Sequence, residues 1–309
     1  GTSDYGESMR LAALLVSLVA LPAAAPQPRL AGCPLFPATN AWNQRVDQLP
    51  VASNSAAIVA SIGPAKGMHA DFGSGLYEGK RIGIPYDVVT KKTKRSQVGF
   101  EYSDESDHVG YPIPAGVHIE GGSDHHALLL DRSACRLYEL GGLERRAGRW
   151  HAWAGATWSL RSNHLRPAGW TSSDAAGLPI LPGLARYDEV KAGAIRHALR
   201  FTVSRTRRAY VYPARHFASD LTDPNLPPMG LRLRLRASFE TSGFPRQSRI
   251  VLEALKRYGM IVADNGADWY VTGAPSQGWS NDDLHSLGRV TGSAFEVVDT
   301  SSLPKSPFR

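Results

Sequence analysis

Apolar residues in this chain mostly alternate with polar ones over short stretches and seldom recur at helical spacing. The segments 81–89, 97–102, 117–120, 126–131, 135–140, 150–154, 156–160, 195–203 and 209–212 are rich in Val, Ile, Tyr and Trp and stop at Gly, Pro, Asp or Ser, which predicts strands. Their spacing favours a sandwich or barrel over strands alternating with helices. The expected fold is therefore mainly β, a sandwich or barrel-like core with a smaller α+β part at the C-terminal end. Residues 230–236 read Gly-Leu-Arg-Leu-Arg-Leu-Arg. Such a strand puts Leu231, Leu233 and Leu235 on the core side and Arg232, Arg234 and Arg236 on the other. Helical spacing is clearest at 247–258, where Ile250, Val251, Leu255 and Tyr258 share a face, Pro245 precedes and Gly259 follows as a cap. After it, 260–263 and 269–272 read as a hairpin around Asp264-Asn265-Gly266, 280–287 as a short helix and 295–298 as a last strand.

The N-terminal pattern is different. Residues 1–8 hold no apolar run and read as a tag or upstream scar. Residues 9–25 read as a signal peptide, with Arg10 before the apolar run 11–21 and small residues at 23–25 for cleavage. Export would bring Cys33 and Cys135, the two cysteines, into oxidising surroundings where they can form one disulfide. Closing a loop of about 100 residues stabilises by up to ~4–5 kcal/mol in the chain-entropy view. Leu30-Ala31-Gly32-Cys33 also resembles a lipobox, which makes a lipoprotein anchored through Cys33 the lesser alternative. Beyond the leader we expect a β-rich lobe at 33–218, a Pro- and Asp-rich loop or linker at 219–229, an α+β lobe at 230–300 and a tail at 301–309. No apolar run reaches the ~18 residues of a spanning helix.

Charged residues make up 20% and apolar ones 42%, too apolar a balance for a disordered chain. The formal charge is +7. A basic exported protein suits an acidic polysaccharide such as a uronate glycan, and equally suits plain solubility. Helix-turn-helix, zinc-finger and RNP patterns are lacking, so no nucleic acid is expected. GxGxxG and GxxxxGK[ST] are lacking too, which argues against a nucleotide cofactor. With no HExxH and no CxxC, neither a metal nor any other cofactor is expected. The nucleophile signature GxSxG is likewise missing.

Candidate chemistry concentrates at 101–126, where Glu101, Asp104, Glu105, Asp107, His108, His118, Glu120, Asp124, His125 and His126 crowd together. If 117–120 and 126–131 are strands, Glu120 ends one, and Asp124 and His126 share a face of the next by i, i+2 spacing. A carboxylate beside an imidazole is suited to proton transfer near neutral pH. A second candidate is the long turn-rich stretch 160–189 with Trp170, Asp174, Tyr187, Asp188 and Glu189. A loop of that length needs a reason, either function or a packed Ω-loop. His197 has the strand phase of Ile195, Leu199 and Phe201 and reads first as a core histidine. The bland reading of the acidic stretch is a solvated loop offsetting a basic protein.

The stretches at 169–190, 197–219 and 252–275 resemble a family of secreted bacterial proteins. The likeness extends from about Cys33 to Asp299 and implies export and one shared architecture. It implies no reaction, so no catalytic residue is carried over from it. The reading that follows is a secreted carbohydrate-active protein, an enzyme if acid–base chemistry holds. Glycan hydrolysis would use Glu120 and Asp174 as the carboxylate pair with Asp124, His126 and His197 in support. Glu105, Asp107, Trp170, Tyr187, Arg200 and His216 are the candidate substrate contacts. A uronate lyase, with arginines neutralising the substrate, is the second enzymatic option. The non-catalytic alternative is a glycan-binding or wall-associated module, with Trp42, Trp150, Trp153, Trp158 and Trp170 as stacking residues.

Overall fold

Strand residues outnumber helical ones, 26% to 15%, in the computed structural model, which describes residues 1–2 and 27–306. The expected leader at 9–25 lies outside the described residues. Several sheets form and none closes into a barrel.

The four-stranded sheet runs Ala154–Ser159, Arg136–Gly141, Ala127–Asp131, Tyr86–Val89, with the last pair parallel. Its central strand Ala127–Asp131 is buried throughout. Alternation explains this: Leu128 and Leu130 enter the main core, whereas Ala127 and Leu129 enter a smaller cluster with Val98, Tyr111 and Tyr138. A sheet covered on both faces needs apolar residues at every position. The smaller cluster is covered by a three-stranded sheet of Glu144–Arg146, Arg149–Ala152 and Val98–Phe100.

The six-stranded sheet runs Phe295–Val297, Arg232–Leu235, Met260–Asn265, Leu199–Val203, Tyr270–Thr272, His69–Asp71. The expected hairpin around Asp264-Asn265-Gly266 does not form, because Leu199–Val203 inserts between its two arms. Residues 219–229 join two strands of this one sheet, and a single main core takes residues from Leu30 to Val297. Helix Arg246–Arg257 buries Val251, Leu252, Ala254 and Leu255. The Asp283 carboxylate accepts from the N–H groups of Gln247 and Ser248, satisfying donors at the helix start. Gly259 ends the turn at φ 67°, where a Cβ would lie 2.1 Å from the Leu233 carbonyl.

Three further expectations change. Arg232 and Arg234 are buried, not solvated. Segment 41–49 passes over them, and Arg232 donates to the carbonyls of Ala41, Gln44 and Tyr258, while Arg234 donates to Leu49 and to Glu296. Residues 117–120 form no strand. The Val117 N–H turns back to the Pro114 carbonyl at 3.2 Å, and Asp87 holds His118 through its backbone N–H at 2.8 Å and its ring at 2.7 Å. At 209–212 only an isolated bridge forms, between Tyr210 and Met229. Cys33 and Cys135 are joined in a disulfide.

Candidate functional site

Loops at one end of the four-stranded sheet and the end of strand Met260–Asn265 enclose a cavity of about 400 Å³. Its wall includes Tyr102, Glu105, Asp124, His126, Trp153, Thr171 to Ala175, His216 and Asp264. The two acid-rich segments singled out in the sequence, 101–126 and 160–189, therefore meet on one hollow. Trp153 and Tyr102 keep 37% and 52% exposure and form its apolar side. The indole of Trp153 lies over Gly142, at φ 67°, where a Cβ would sit 2.6 Å from the ring. Only glycine lets the ring rest there.

The turn at 121–126 is closed by the Glu120 N–H donating to the His126 carbonyl at 2.9 Å. His125 takes φ 45°, a conformation uncommon for a non-glycine residue. It breaks the strand phase expected for Asp124 and His126: Asp124 is exposed and His126 is buried, yet both line the cavity. The His126 ring is bonded on both nitrogens, Nδ1 to the Glu120 carboxylate and Nε2 to the Ser173 carbonyl at 2.8 Å. Two acceptors require two protons on the ring. Burial opposes that charge, but Glu120 outweighs it and pushes His126 up to about 9. His126 is thus an imidazolium near neutral pH, spanning 120 and 173.

Arg200 projects from strand Leu199–Val203 and fixes the opposite wall. Its Nε and Nη2 donate to the two oxygens of Asp174, each at 2.9 Å. Nη1 donates to Thr272 at 2.8 Å, and Nη2 also reaches Asp264 at 3.1 Å. The side chain of Asp174 is fully buried, whereas that of Asp264 keeps 22% exposure. One guanidinium thus serves two carboxylates. Burial, together with the charge of Asp174, pushes Asp264 up to about 7 against the pull of Arg200. Behind this wall Glu139 is buried among apolar neighbours. It accepts from the N–H groups of Ile180 and Leu181, at 2.8 and 2.9 Å, and from the Ser173 hydroxyl at 3.4 Å. Burial pushes it up to about 7 although those N–H groups favour its charge.

Of the candidate catalytic residues, Asp124, His126 and Asp174 line the cavity. Glu120 sits behind His126, and its carboxylate is committed to it. His197 is elsewhere: Nδ1 bonds the Ala198 carbonyl at 2.7 Å and Nε2 bonds Glu189 at 3.0 Å, so it is a satisfied core histidine. Burial alone would raise Glu189, but Arg186 and His197 outweigh it and hold it below the ordinary carboxylate value.

Among the candidate contacts, Glu105 and His216 line the cavity. His216 Nδ1 donates to the Ala175 carbonyl at 2.8 Å, which leaves the Nε2 lone pair available in the neutral ring. Arg200 is an internal anchor. Asp107 accepts from Thr157 and Arg166 outside the cavity. Trp170 lies under the Arg166 guanidinium at 5.5 Å, and Tyr187 packs edge-on against Trp279. Of the five tryptophans considered for stacking, Trp153 alone lines the cavity, and Trp42 and Trp158 belong to the core.

Asp264 and Glu139 were not singled out as site residues. Asp264 looked like turn chemistry. Glu139 had a signal: a carboxylate within Leu137-Tyr138-Glu139-Leu140, a strand apolar on both faces, is anomalous whichever way it points. Among the described residues no group of three or more His, Cys, Asp or Glu is placed to hold a metal. No family model, curated protein or solved structure matches the chain.

Proposed function

We propose that this chain is an exported carbohydrate-active protein that cleaves an extracellular polysaccharide at this cavity by carboxylate and histidine acid–base chemistry. The observation that carries the reading is the convergence of the 101–126 and 160–189 segments, with Trp153 and Tyr102, on one solvent-open hollow. An aromatic flank beside carboxylates suits a sugar ring, whose C–H face stacks while its hydroxyls bond.

The roles shift from those expected. Glu120 and Asp174 are held by His126 and Arg200 and act as positioning groups. Asp264, held above the ordinary carboxylate value by burial and by the charge of Asp174, is the proton donor. Asp124, Glu105 and His216 are the groups available as base. A hydrolase would hold its two carboxyl groups ~5–5.5 Å apart for retention or ~6.5–9.5 Å for inversion. The Cys33–Cys135 disulfide supports export. A sandwich-like packing of the four- and six-stranded sheets belongs to the same reading, and their shared core supports it.

Reducing-end release across a polysaccharide panel tests the proposal. Release is expected from at least one polymer, with Asp264→Asn lowering it by about 10²-fold or more. Binding without release would favour the second reading, a non-catalytic glycan-binding or wall-associated module. That reading draws on the fixed ion pairs that neutralise Glu120 and Asp174.

A further inference from the structure

We infer that the cavity selects a cationic amino-sugar polymer, because its wall offers half-used carboxylates and no Lys or Arg to receive an acidic sugar. The inference rests on the glycan reading above and narrows it.

The wall contains no Lys or Arg among the described residues. Two guanidiniums bonded to residues of its wall are committed elsewhere. Arg200 donates through all three nitrogens to Asp174, Thr272 and Asp264. Arg166 donates through Nε to the Thr171 carbonyl, through Nη1 to Asp107 and through Nη2 to the Glu105 carbonyl. The His126 imidazolium has both N–H groups bonded internally. A uronate carboxylate entering the hollow would meet no Lys or Arg donor, His216 being the one wall imidazole with a ring nitrogen still open, and a charge left unpaired there is costly.

The acceptor side is the reverse. Glu105 spends Oε2 on the Thr171 N–H at 2.7 Å, and Asp124 spends Oδ1 on the Ser123 hydroxyl at 2.8 Å. The other oxygen of each has no partner among the described residues. An ammonium group supplies three donors and a positive charge, and so suits a half-used carboxylate. The chain as a whole carries +7, which repels a polycation at long range. That repulsion is screened beyond about 10 Å at 0.1 M salt, so contacts inside the hollow decide.

Isothermal titration calorimetry of the full chain, with four tetrasaccharides as probes, tests the inference. They are a glucosamine tetramer, its fully N-acetylated form, a neutral glucan and a galacturonate. The glucosamine tetramer is expected to bind about tenfold or more tightly than the acetylated form, the value of one charge-assisted pair. The galacturonate is expected not to bind. Asp124→Asn and Glu105→Gln, each checked for an unchanged unfolding midpoint, should each narrow the difference. Equal affinity for the amine and acetamide forms, or galacturonate binding as tight as glucosamine, overturns the inference while leaving the glycan reading standing. Binding of none of the four overturns both.

Discussion

Arg200 and Arg232 make an instructive pair. They are the register partners of Ile261 on its two neighbouring strands, so they leave the same face of the same sheet. Both are buried. Arg232 spends its donors on the backbone carbonyls of Ala41, Gln44 and Tyr258, and the result is a sealed seam. Arg200 spends its donors mainly on carboxylates. Two acids share one cation, and the less favoured of them, Asp264, borders a solvent-open hollow. Buried arginines at equivalent positions can thus serve packing or chemistry, and the nature of the acceptors decides which.

The largest expected effect comes from removing each cation. Arg200→Met leaves Asp174 buried without its partner and should cost about 3–5 kcal/mol. Arg232→Met orphans neutral carbonyls and should cost about 1–3 kcal/mol. Urea unfolding of both variants measures the gap. An equal or larger loss for Arg232→Met would erase the distinction.

The next effect concerns His126. Glu120→Gln removes the charge that opposes burial, so the ring should titrate below the ordinary value of 6.5 instead of near 9. NMR of the ring resonances reads this directly. A midpoint still near 9 would show that Glu120 is not the source of the charge.

A smaller effect appears in the pH dependence of stability. Asp264 and Glu139 have folded values near 7, above their ordinary 3.8 and 4.5. The native state therefore holds more protons than the unfolded chain in that window, and stability falls as pH rises through it. Their contribution is complete below about pH 4 and gone above about pH 7. His126 adds a decline of the same sign between about 6.5 and 9. Asp264→Asn should flatten the lower part of the profile, and Arg232→Met should leave that lower part unchanged. Thermal midpoints from pH 4 to 9 give the comparison.

The smallest effect is local. Gly142→Ala places a methyl against the Trp153 indole at positive φ and should cost about 1 kcal/mol while weakening glycan binding. Fluorescence of the variant, with and without oligosaccharide, follows the ring.

Much of this was legible in the residues themselves. The helix at 246–257, most strands and the Cys33–Cys135 pair follow from spacing, turn residues and counting. The segments 101–126 and 160–189 stood out by their acids and loop character, and their meeting was the condition on which the expected carboxylate pair rested. What escaped was non-local. Period-two alternation says which face a side chain takes, never which strand lies alongside. Nothing near 260–272 announces that Leu199–Val203 will part the expected hairpin. Arg232 and Arg234 looked solvated because the segment that covers them lies almost two hundred residues earlier. Asp264 looked like a turn residue because its chemistry is conferred by Arg200 and Asp174, from two other parts of the chain.

The placement of Asp264 has a consequence for timing. The amino acids around the hollow enter the chain in order, from Tyr102 through His216, and Asp264 is the last of those assigned a role. Its strand also abuts the one that presents Arg200. A nascent or clipped polypeptide ending short of that strand would lack both Asp264 and the sheet partner of Leu199–Val203. The hollow would then stay incomplete until synthesis and folding had passed that point.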